Sequence, residues 1–405
     1  MRSVSFKTFG CRLNQYDTEW LREEFEHAGF KAVSIKDNPD ICVINTCAVT
    51  DRACHEARKG IRTEVNRLPK PFVIVTGCYA RIGINEISQI KGVNIVEPDP
   101  NKIAVDFLKT PLLPGIKSFG GRSKAFVKIQ EGCDQFCSYC VVPYVRGKPR
   151  DRSIEEVIRE VNDLVNNGCE EIVLTGTNIG KCQNLLDIVK EIDKVEGVRR
   201  IGVGSIEPIC ILDELLDFIQ GSQKFSRYFH IPLQSGDNRI LNLMKRWYTS
   251  EEYAELLYAI KERMPDCAIG ADVIVGFPGE AEYEFLNTYN LIANSPISRL
   301  HIFRYSKRPG THAINLPDEP PDMVKKERSM ILHKLSENKW ANFRREFIGK
   351  TLECSVEPTK DDGWLIGVTK NYIKVLFKPP ASLPGNFINL KIKKVEGPMT
   401  YGEVS

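Results

Sequence analysis

The sequence predicts an α/β protein: a doubly wound parallel sheet, then a partial barrel of alternating strands and helices, and finally a small β-barrel. Three observations support this. Strand-like and helix-like stretches alternate in the N-terminal quarter, the alternation resumes with six further strand candidates, and the C-terminal part contains short strands separated by turn signals. A chain of 405 residues with 42% hydrophobic residues can form two or three domains, each with its own core.

In the N-terminal part, the strand VSFKT precedes a helical stretch, DTEWLREEFEHAGF, for which we predict Asp17 as the N-cap and Gly29 as the stop. The apolar run ICVINTC, a helical stretch near Arg52–Leu68 and the strand PFVIVTGC follow. This β-α-β-α-β alternation is typical of a parallel, doubly wound sheet.

Cysteines lie near the end of each of these three strands, at Cys11, Cys47 and Cys78. The carboxyl ends of parallel strands share one edge of a sheet, and ligands of open α/β sheets bind outside that edge. We therefore expect the three thiols to meet in space. Taken one at a time, each cysteine could instead be a small apolar residue in a tight turn, but together they favour a ligand site.

Proline and glycine cluster between Glu97 and Arg122, which predicts a linker. The six strand candidates after it are AFVKIQ, EIVLT, RIGVGS, RYFHI, AIGADVIVG and RLHIF, and helical stretches separate them. Six β/α units indicate a barrel or partial barrel, whose chemistry is expected on the loops after the carboxyl ends of the strands.

A long charged helix is predicted at about Asp322–Phe347. It is followed by TLECSVEP, DDGWLIGVTK, NYIKVLFKP and NFINLKIKKVE, which are typical of a small antiparallel barrel. Lys370, Tyr372 and Lys374 could form a nucleic-acid-binding face there. A solvated surface with the aromatic residues in the core is the equally supported alternative. The net charge of +3 is compatible with a polyanionic partner without requiring one.

The N-terminal stretch MRSVSFKTFGC lacks the apolar segment of a signal peptide, and no apolar run approaches the roughly 18 residues of a membrane span. We therefore expect a cytoplasmic protein with reduced thiols. In that compartment, thirteen cysteines indicate metal binding or catalysis before disulfides.

The tightest cysteine cluster is EGCDQFCSYC, a C-x3-C-x2-C pattern formed by Cys133, Cys137 and Cys140. Three thiolates on one short loop can hold three irons of a [4Fe–4S] cluster, and the lack of a fourth cysteine in the loop leaves one iron open for an exchangeable ligand such as an amino acid. Zinc is the chemical rival. A structural zinc site takes four ligands, commonly from paired C-x2-C units, and the sequence offers no second pair at the right spacing.

At these residues the sequence resembles a known family. A C-x3-C-x2-C loop after the first strand of a partial (β/α)6 barrel resembles the radical S-adenosylmethionine (SAM) enzymes, and the whole chain resembles their methylthiotransferases. The stretches that carry the resemblance are FGCRLNQYDTE, INTCAVT, TGCYA, EGCDQFCSYCVVPYVRG, LTGTNIG, HIPLQSG, DVIVGFPGE and FRYSKRPGT. The resemblance implies an N-terminal methylthiotransferase domain at 1–108, a linker at 109–122, a radical SAM core at 123–345 and an RNA-binding β-barrel, the TRAM domain, at 346–405.

The resemblance also implies two [4Fe–4S] clusters. The C-x3-C-x2-C cysteines would hold the cluster that binds SAM and cleaves it to a 5′-deoxyadenosyl radical. Cys11, Cys47 and Cys78 would hold an auxiliary cluster that supplies sulfur, while a second SAM supplies the methyl group. A reductant such as flavodoxin or ferredoxin, a tRNA bound through its anticodon stem-loop and a monomeric state are implied as well.

Residues of the cluster loop and the barrel-end loops are candidates for SAM binding: Tyr139, Gly176, Asn178, Ser205, Glu207, Gln234 and Ser235. An aromatic cap over the cluster explains Tyr139 equally well, and a loop hydrogen bond explains each of the others. Basic residues that could contact RNA phosphates, with a solvated turn as the equal alternative, are Arg146, Lys148, Arg150 and Arg152. Asn14 is expected to be a turn residue and the remaining cysteines buried thiols. The six histidines form no local metal pair, and we expect His230 and His301 to be core or loop residues.

Within the family, FKTFGCRLNQYDTE most resembles the branch that acts on N6-threonylcarbamoyladenosine at position 37 of tRNA. The isopentenyladenosine branch more often begins TYGCQMN, and the branch acting on a ribosomal-protein aspartate more often reads LGCPKN. We therefore predict methylthiolation at C2 of N6-threonylcarbamoyladenosine, with isopentenyladenosine as the alternative substrate. A non-catalytic iron–sulfur protein that binds RNA or acts as a sensor is the alternative from another class, and the open iron position argues against it.

Overall fold

A computed structural model of the chain describes residues 2–358, 363–380, 382, 383 and 385–405. The chain forms two compact units. The first contains the residues up to Ile188 together with Ser306–Ile314, and the second contains Val189–Tyr305 and Asn315–Ser405. These units do not follow the predicted domain boundaries, which stay predictions. In the described ranges, no helix combines the length and the apolar character that crossing a membrane requires.

The strands of the first unit are β1 Ser3–Thr8, β2 Lys31–Ala32, β3 Ile41–Thr46, β4 Phe72–Gly77, β5 Val93–Val96, β6 Lys124–Glu131, β7 Arg150–Asp151 and β8 Glu171–Gly176. Its helices are α1 Arg12–His27, α2 Asp51–Val65, α3 Cys78–Ile82, α4 Ile84–Ser88, α5 Pro100–Lys102, α6 Val142–Arg146 and α7 Ile154–Asn166. One further helix, α8 Leu185–Lys194, begins in this unit and continues beyond its boundary.

The N-terminal sheet has the strand order β2-β1-β3-β4-β5, and each neighbouring pair is parallel. All six residues of β3 are buried, as expected for a central strand covered on both faces. Its Ile44 packs in one core with Val73 of β4 and Ile61 of α2. The prediction of a doubly wound parallel sheet is confirmed.

The first helix differs from the prediction. It begins at Arg12 rather than after Asp17, and Cys11 occupies the N-cap position without a side-chain capping bond. Asp17 lies inside the helix with 4% of its surface exposed. The prediction of an N-cap was wrong because Asp17 accepts hydrogen bonds from Lys128 and Arg146, two partners that lie more than a hundred residues away in sequence.

The stretch predicted as a linker is fixed against α1. The indole of Trp20 donates a hydrogen bond to the Leu113 carbonyl at 3.1 Å, and Glu24 accepts one from the Leu113 amide at 2.6 Å. Glu23 accepts two more, from the amides of Lys117 and Ser118, at 2.8 and 2.9 Å. These bonds satisfy backbone groups that an extended segment would otherwise leave to water.

The central region provides six strands in the predicted places. In the first unit, β6 pairs parallel with β8 and antiparallel with the short β7. The strands of the second unit are β9 Arg200–Val203, β10 Tyr228–His230, β11 Ala268–Val275, β12 Arg299–Arg304, β13 Thr351–Pro358, β14 Leu365–Thr369, β15 Lys374–Phe377, β16 Phe387–Glu396 and β17 Met399–Val404. Its helices are α9 Asp213–Gly221, α10 Asn238–Leu243, α11 Ser250–Arg263, α12 Glu282–Asn294 and α13 Asp322–Arg345.

In the second unit, β10, β11 and β12 form a parallel sheet. Leu300 of β12 is buried and donates its amide to the Ser336 hydroxyl of α13, whereas His301 and Phe303 are exposed. The alternation along β12 therefore directs one face to a helix and leaves the other open to solvent.

The C-terminal strands close into a five-stranded barrel in the order β13-β14-β15-β17-β16. The predicted small barrel is confirmed, but β17 was missed because MTYGEV carries glycine and charged residues instead of a clear apolar alternation. It pairs antiparallel with β16 and parallel with β15, which closes the barrel. Asp361 and Asp362, part of the predicted stretch DDGWLIGVTK, lie outside the described residues.

Candidate functional site

Three cysteines follow three adjacent strands of the N-terminal sheet. Cys47 comes directly after β3 and Cys78 directly after β4, whose last residues are paired in register. Cys11 lies in the turn between β1 and α1, and β1 is the other neighbour of β3. The strand ends thus place all three cysteines at one edge of the sheet, as predicted from the parallel arrangement of the strands.

Gly10 brings the turn that carries Cys11 against Cys47. Its φ of +118° is a conformation that side chains rarely adopt, and a Cβ at this position would lie 2.8 Å from Cys47 Cβ and 3.2 Å from Cys47 Sγ. Only glycine allows this approach of backbone to thiol.

Burial dominates the electrostatics of these thiols. Together with a smaller repulsion from the neighbouring Cys11 and Cys78 thiolates, it raises the pKa of Cys47 to about 12. Burial also raises the pKa of Cys78, although the guanidinium of Arg146 opposes this effect. Such grouped thiols become good ligands when a cationic metal centre replaces their protons.

A second triplet, Cys133, Cys137 and Cys140, lies on the loop after β6 in the same compact unit. The loop is closed by the amide of Cys133, which donates to the Gly147 carbonyl at 2.9 Å, and by the amide of Cys140, which donates to the Cys137 carbonyl at 2.9 Å. Gly132, with a φ of +86°, permits this closure, since a Cβ there would lie 2.7 Å from the Gly147 oxygen.

Two buried polar atoms beside this loop have no hydrogen-bond partner among the described residues: Nε2 of Gln135 and Oδ1 of Asn178. Asn178 is held in place by its amide, which donates to Gln130 Oε1 at 2.9 Å, and its Nδ2 lies 3.8 Å from Cys133 Sγ. Buried polar groups normally have partners. The two atoms therefore fit a polar ligand bound next to the cysteine loop.

One side chain joins Cys78 of the first triplet to Glu131, the last residue of β6, which precedes the loop of the second triplet. Arg146, at the end of α6, donates from Nε to Cys78 Sγ at 3.2 Å and from Nη2 to Asn14 Oδ1 at 2.7 Å. Its Nη1 donates to Asp17 Oδ2 at 2.7 Å and to Glu131 Oε1 at 2.6 Å. Asn14 is therefore more than a turn residue.

Lys128 completes this charge network, because its Nζ lies 2.9 Å from Asp17 Oδ1 and 3.2 Å from Glu131 Oε2. Burial alone would favour the protonated carboxyls, but the two cations outweigh it and lower the pKa of Asp17 and of Glu131. No local sequence pattern predicts this network, since its members come from α1, β6 and α6.

Two sequence families cover the two parts of the site. Residues 3–96 match the "Uncharacterized protein family UPF0004", and residues 127–292 match the "Radical SAM superfamily". Among solved structures, the radical SAM methyltransferase TsrM from Kitasatospora setae is similar in fold, with a TM-score of 0.59 and 13% identity over 95% of this chain and 82% of that chain. At this identity the likeness shows the fold alone.

Relatives of known name extend over the whole chain. The "Threonylcarbamoyladenosine tRNA methylthiotransferase MtaB" of Bacillus subtilis (strain 168) is 37% identical over all of this chain and 96% of the relative, and the protein of the same name from Aquifex aeolicus is 38% identical over 92% and 96%. This chain belongs to the radical SAM methylthiotransferase family. The "tRNA-2-methylthio-N(6)-dimethylallyladenosine synthase" of Thermotoga petrophila is also similar, at 33% identity over 98% of this chain and 96% of the relative.

Membership of the radical SAM methylthiotransferases implies a [4Fe–4S] cluster and SAM, and the residues present fit both. The C-x3-C-x2-C loop offers three sulfur donors and no fourth cysteine within the loop. The unpartnered atoms of Gln135 and Asn178 lie where a polar ligand beside that loop would need hydrogen bonds.

The other predicted SAM-binding residues of the methylthiotransferase have varied surroundings. In the first unit, Tyr139 is half-buried, and Gly176 ends β8 where a Cβ would lie 3.1 Å from the Gln130 side chain. In the second unit, Ser205 is exposed, Glu207 is paired with Arg246, and Gln234 is buried with a φ of +66°. Ser235 is buried, with its hydroxyl 3.2 Å from that of Thr288.

Two of the arginines expected to contact RNA are internal to the methylthiotransferase. Arg146 belongs to the charge network, and Arg152 pairs with the buried Glu160 and donates to the Lys128 carbonyl at 2.9 Å. Neither has the exposure that a phosphate contact requires. Lys148 and Arg150 are exposed.

The residues predicted to bind nucleic acid on the C-terminal barrel also divide into side chains that contact the protein and a side chain that is exposed. Lys370 donates to the Gln223 carbonyl, and the ring of Tyr372 lies 4.6 Å from that of Tyr228, so both side chains are turned toward the rest of the second unit. Lys374 is exposed. Of these three residues, only Lys374 has the exposure that a nucleic-acid-binding face requires.

Proposed function

We propose that the chain methylthiolates C2 of N6-threonylcarbamoyladenosine at position 37 of tRNA, using two [4Fe–4S] clusters and two SAM molecules. The observation that carries this proposal is the pair of cysteine triplets in one compact unit, with Arg146 bonded both to Cys78 and to Glu131 at the end of the strand before the second triplet. A single SAM-binding cluster would explain only the C-x3-C-x2-C loop. The second triplet needs a second function, which sulfur insertion provides.

In this proposal, Cys133, Cys137 and Cys140 hold one cluster, and Cys11, Cys47 and Cys78 hold the other. When bound, the first cluster with SAM supplies the radical that removes hydrogen, and the second supplies sulfur. The protein's own contribution is positional. Gln135 and Asn178 offer hydrogen bonds to SAM, and Arg146 fixes the Cys78 thiol relative to the other loop.

The substrate assignment rests on the relatives and on the stretch after Cys11. Two relatives named as threonylcarbamoyladenosine enzymes are 37% and 38% identical to this chain, the Thermotoga petrophila relative named for dimethylallyladenosine is 33% identical, and a further threonylcarbamoyladenosine enzyme, from Thermotoga maritima, is 30% identical. Isopentenyladenosine is thus the second candidate substrate. The exposed Lys148, Arg150 and Lys374 are the proposed RNA contacts. A flavodoxin or ferredoxin as reductant, a monomeric state and a cytoplasmic location belong to the same proposal.

The test is expression of the chain in a bacterial strain that lacks its own tRNA methylthiotransferases, followed by mass spectrometry of tRNA nucleosides. We expect 2-methylthio-N6-threonylcarbamoyladenosine to form with the wild-type chain and to be absent with Cys137→Ala. Formation of the methylthiolated isopentenyl nucleoside alone would assign the other substrate. If neither nucleoside forms although the protein carries its iron, the proposed activity is wrong.

A further inference from the structure

Three ligand-type side chains meet in the second unit on the sheet formed by β10, β11 and β12. His230 ends β10, and Asp272 and His301 are register partners on β11 and β12. His230 Nε2 lies 2.9 Å and His301 Nδ1 lies 3.3 Å from the same oxygen, Asp272 Oδ1. The two imidazole rings are 4.9 Å apart between centroids. The expectation that both histidines are ordinary core or loop residues was therefore incomplete.

The spacing of these atoms suits a metal ion. One nitrogen from each histidine and one carboxylate oxygen all lie within 4.8 Å of one another. In a tetrahedral zinc site with bonds of roughly 2.0–2.1 Å, neighbouring ligand atoms are about 3.4 Å apart. The two observed His–Asp separations are close to that value, so only small side-chain movements would seat an ion.

The histidine nearest the core also has an outer partner. His230 Nδ1 lies 3.1 Å from the Tyr228 hydroxyl, which leaves Nε2 directed at Asp272. Gly270 makes room for this arrangement, because a Cβ there would lie 2.9 Å from His230 Nδ1. A second hydrogen bond that orients a ligand imidazole in this way is usual at metal sites.

Asp272 offers its carboxylate oxygen to both histidines. In the part of the chain that the structure describes, its recorded ion pairs are with these histidines and not with lysine or arginine. No fixed cation therefore competes with a metal ion for the carboxylate. His301 is 46% exposed, which leaves a path to solvent.

We propose that His230, Asp272 and His301 form a binding site for one divalent transition-metal ion, with zinc as the expected occupant. Imidazole nitrogen and carboxylate oxygen are ligands that zinc accepts, and three protein ligands leave a fourth position for water or a substrate oxygen. None of its three residues belongs to a cysteine triplet, and the proposal does not depend on the proposed tRNA reaction.

The test uses the full-length protein with its iron–sulfur clusters reconstituted in the absence of oxygen. After equilibration at a buffered zinc concentration, we expect the wild type to hold one zinc per chain more than Asp272→Asn or His301→Gln, and each variant to bind zinc at least tenfold more weakly. His333→Gln is the matched control, since His333 is exposed in the same unit and outside the cluster. It should bind zinc like the wild type.

Zinc on cysteine would mimic this result, so the ligand atoms are checked by zinc K-edge X-ray absorption. The expected shell contains nitrogen and oxygen at roughly 2.0–2.1 Å and no sulfur at roughly 2.3 Å. Zinc should also raise the Tm of the wild type and of His333→Gln, but not of His301→Gln, whose half-exposed side chain can be replaced without disturbing the core. Equal zinc content in the wild type and both cluster variants, or a sulfur-containing shell, would show that the three residues are only a hydrogen-bonded triad.

Discussion

Arg146 is the residue that joins the Cys78 thiol to a buried network of charged side chains from α1 and β6. Only 9% of its side chain is exposed, yet the guanidinium is surrounded by acceptors. Burial opposes its charge, but Asp17, Cys78 and Glu131 outweigh burial and raise the pKa of Arg146 well above its usual value. The arginine is thus permanently charged, and its planar geometry allows four acceptors to be held at once.

Replacing Arg146 by methionine should be strongly destabilising. The change keeps much of the volume but removes the buried cation that Asp17 and Glu131 share, which leaves them Lys128 and, 3.9 Å from Glu131, the exposed Arg150. Breaking a buried charge network in this way costs about 3–5 kcal/mol of the free energy of unfolding. Urea denaturation measures this loss in the free energy of unfolding. Arg150→Met is the control, since Arg150 is 72% exposed and should change stability by no more than about 0.5 kcal/mol. Equal stability of the two variants would contradict the structural role of Arg146.

The two triplets should separate in function. Cys133→Ala should abolish cleavage of SAM to 5′-deoxyadenosine, because it removes one of the three proposed ligands of the SAM-binding cluster. Cys47→Ala should retain SAM cleavage but lose methylthiolation and about half of the iron. Both are measured on anaerobically reconstituted protein with SAM, reductant and tRNA. Cys267→Ala, at a buried cysteine outside both triplets, should keep both activities. Methylthiolation by Cys47→Ala would rule out the auxiliary-cluster assignment.

Among the structural elements, the turn between β1 and α1 shows how backbone geometry builds a ligand site. The turn must reverse the chain, start a helix and place a thiol beside the neighbouring strand end within three residues, Phe9 to Cys11. The Asn14 side chain supports it by donating to the carbonyls of Phe9 and Thr46 at 2.8 and 3.0 Å. Glycine at position 10 is what makes the close approach possible.

Gly10→Ala and Gly29→Ala form a matched pair that tests this turn. Both glycines have positive φ, at +118° and +86°, so both substitutions introduce backbone strain. Only Gly10→Ala also places a Cβ against Cys47, whereas nothing lies within 4 Å of a Cβ at Gly29. Each should lose about 1 kcal/mol of stability from strain, and Gly10→Ala should in addition lose the iron of the Cys11 triplet. Iron analysis after reconstitution compares the two variants. Equal iron content in Gly10→Ala and Gly29→Ala would mean that the turn tolerates a side chain at position 10.

These elements also show what the sequence could and could not predict. Three parallel strands that are each followed by a cysteine place those cysteines at the same edge of the sheet. The meeting of Cys11, Cys47 and Cys78 was therefore predictable from strand order. The partners of Asp17 were not, because a local pattern of capping residues competes with contacts made across 111 and 129 residues of chain. His230, Asp272 and His301 were missed for the same reason, although their positions on three consecutive predicted strands were a usable signal.

At the scale of the whole molecule, the compact units cut across the predicted domains. The second unit combines strands of the central region with the C-terminal barrel. The fully buried Arg200 of β9 fastens that barrel: its Nη1 donates to Ser355 Oγ at 3.1 Å and to the Val368 carbonyl at 2.8 Å, and its Nη2 to the Glu353 carbonyl at 3.3 Å. The barrel is therefore an integral part of its unit rather than a loosely attached module.

Arg200→Met should loosen the C-terminal barrel. The loss of three hydrogen bonds from a buried guanidinium costs about 2–4 kcal/mol in all, so the barrel should become sensitive to limited proteolysis and the urea midpoint should fall. Arg199→Met is the neighbouring control. Its ion pair with Glu353 is solvent-exposed and contributes at most about 1 kcal/mol. A proteolysis rate for Arg200→Met equal to that of Arg199→Met would show that the barrel is held by other contacts.

The contact between Arg146 and Cys78 also sets an order of events during synthesis. The two residues are 68 positions apart, and all three cysteines of the first triplet precede Arg146. At roughly 5–20 residues per second, the ribosome adds Cys78 several seconds before it adds the arginine that donates to its thiol. The Cys78 thiol therefore gains this hydrogen bond only in a chain that has already reached residue 146.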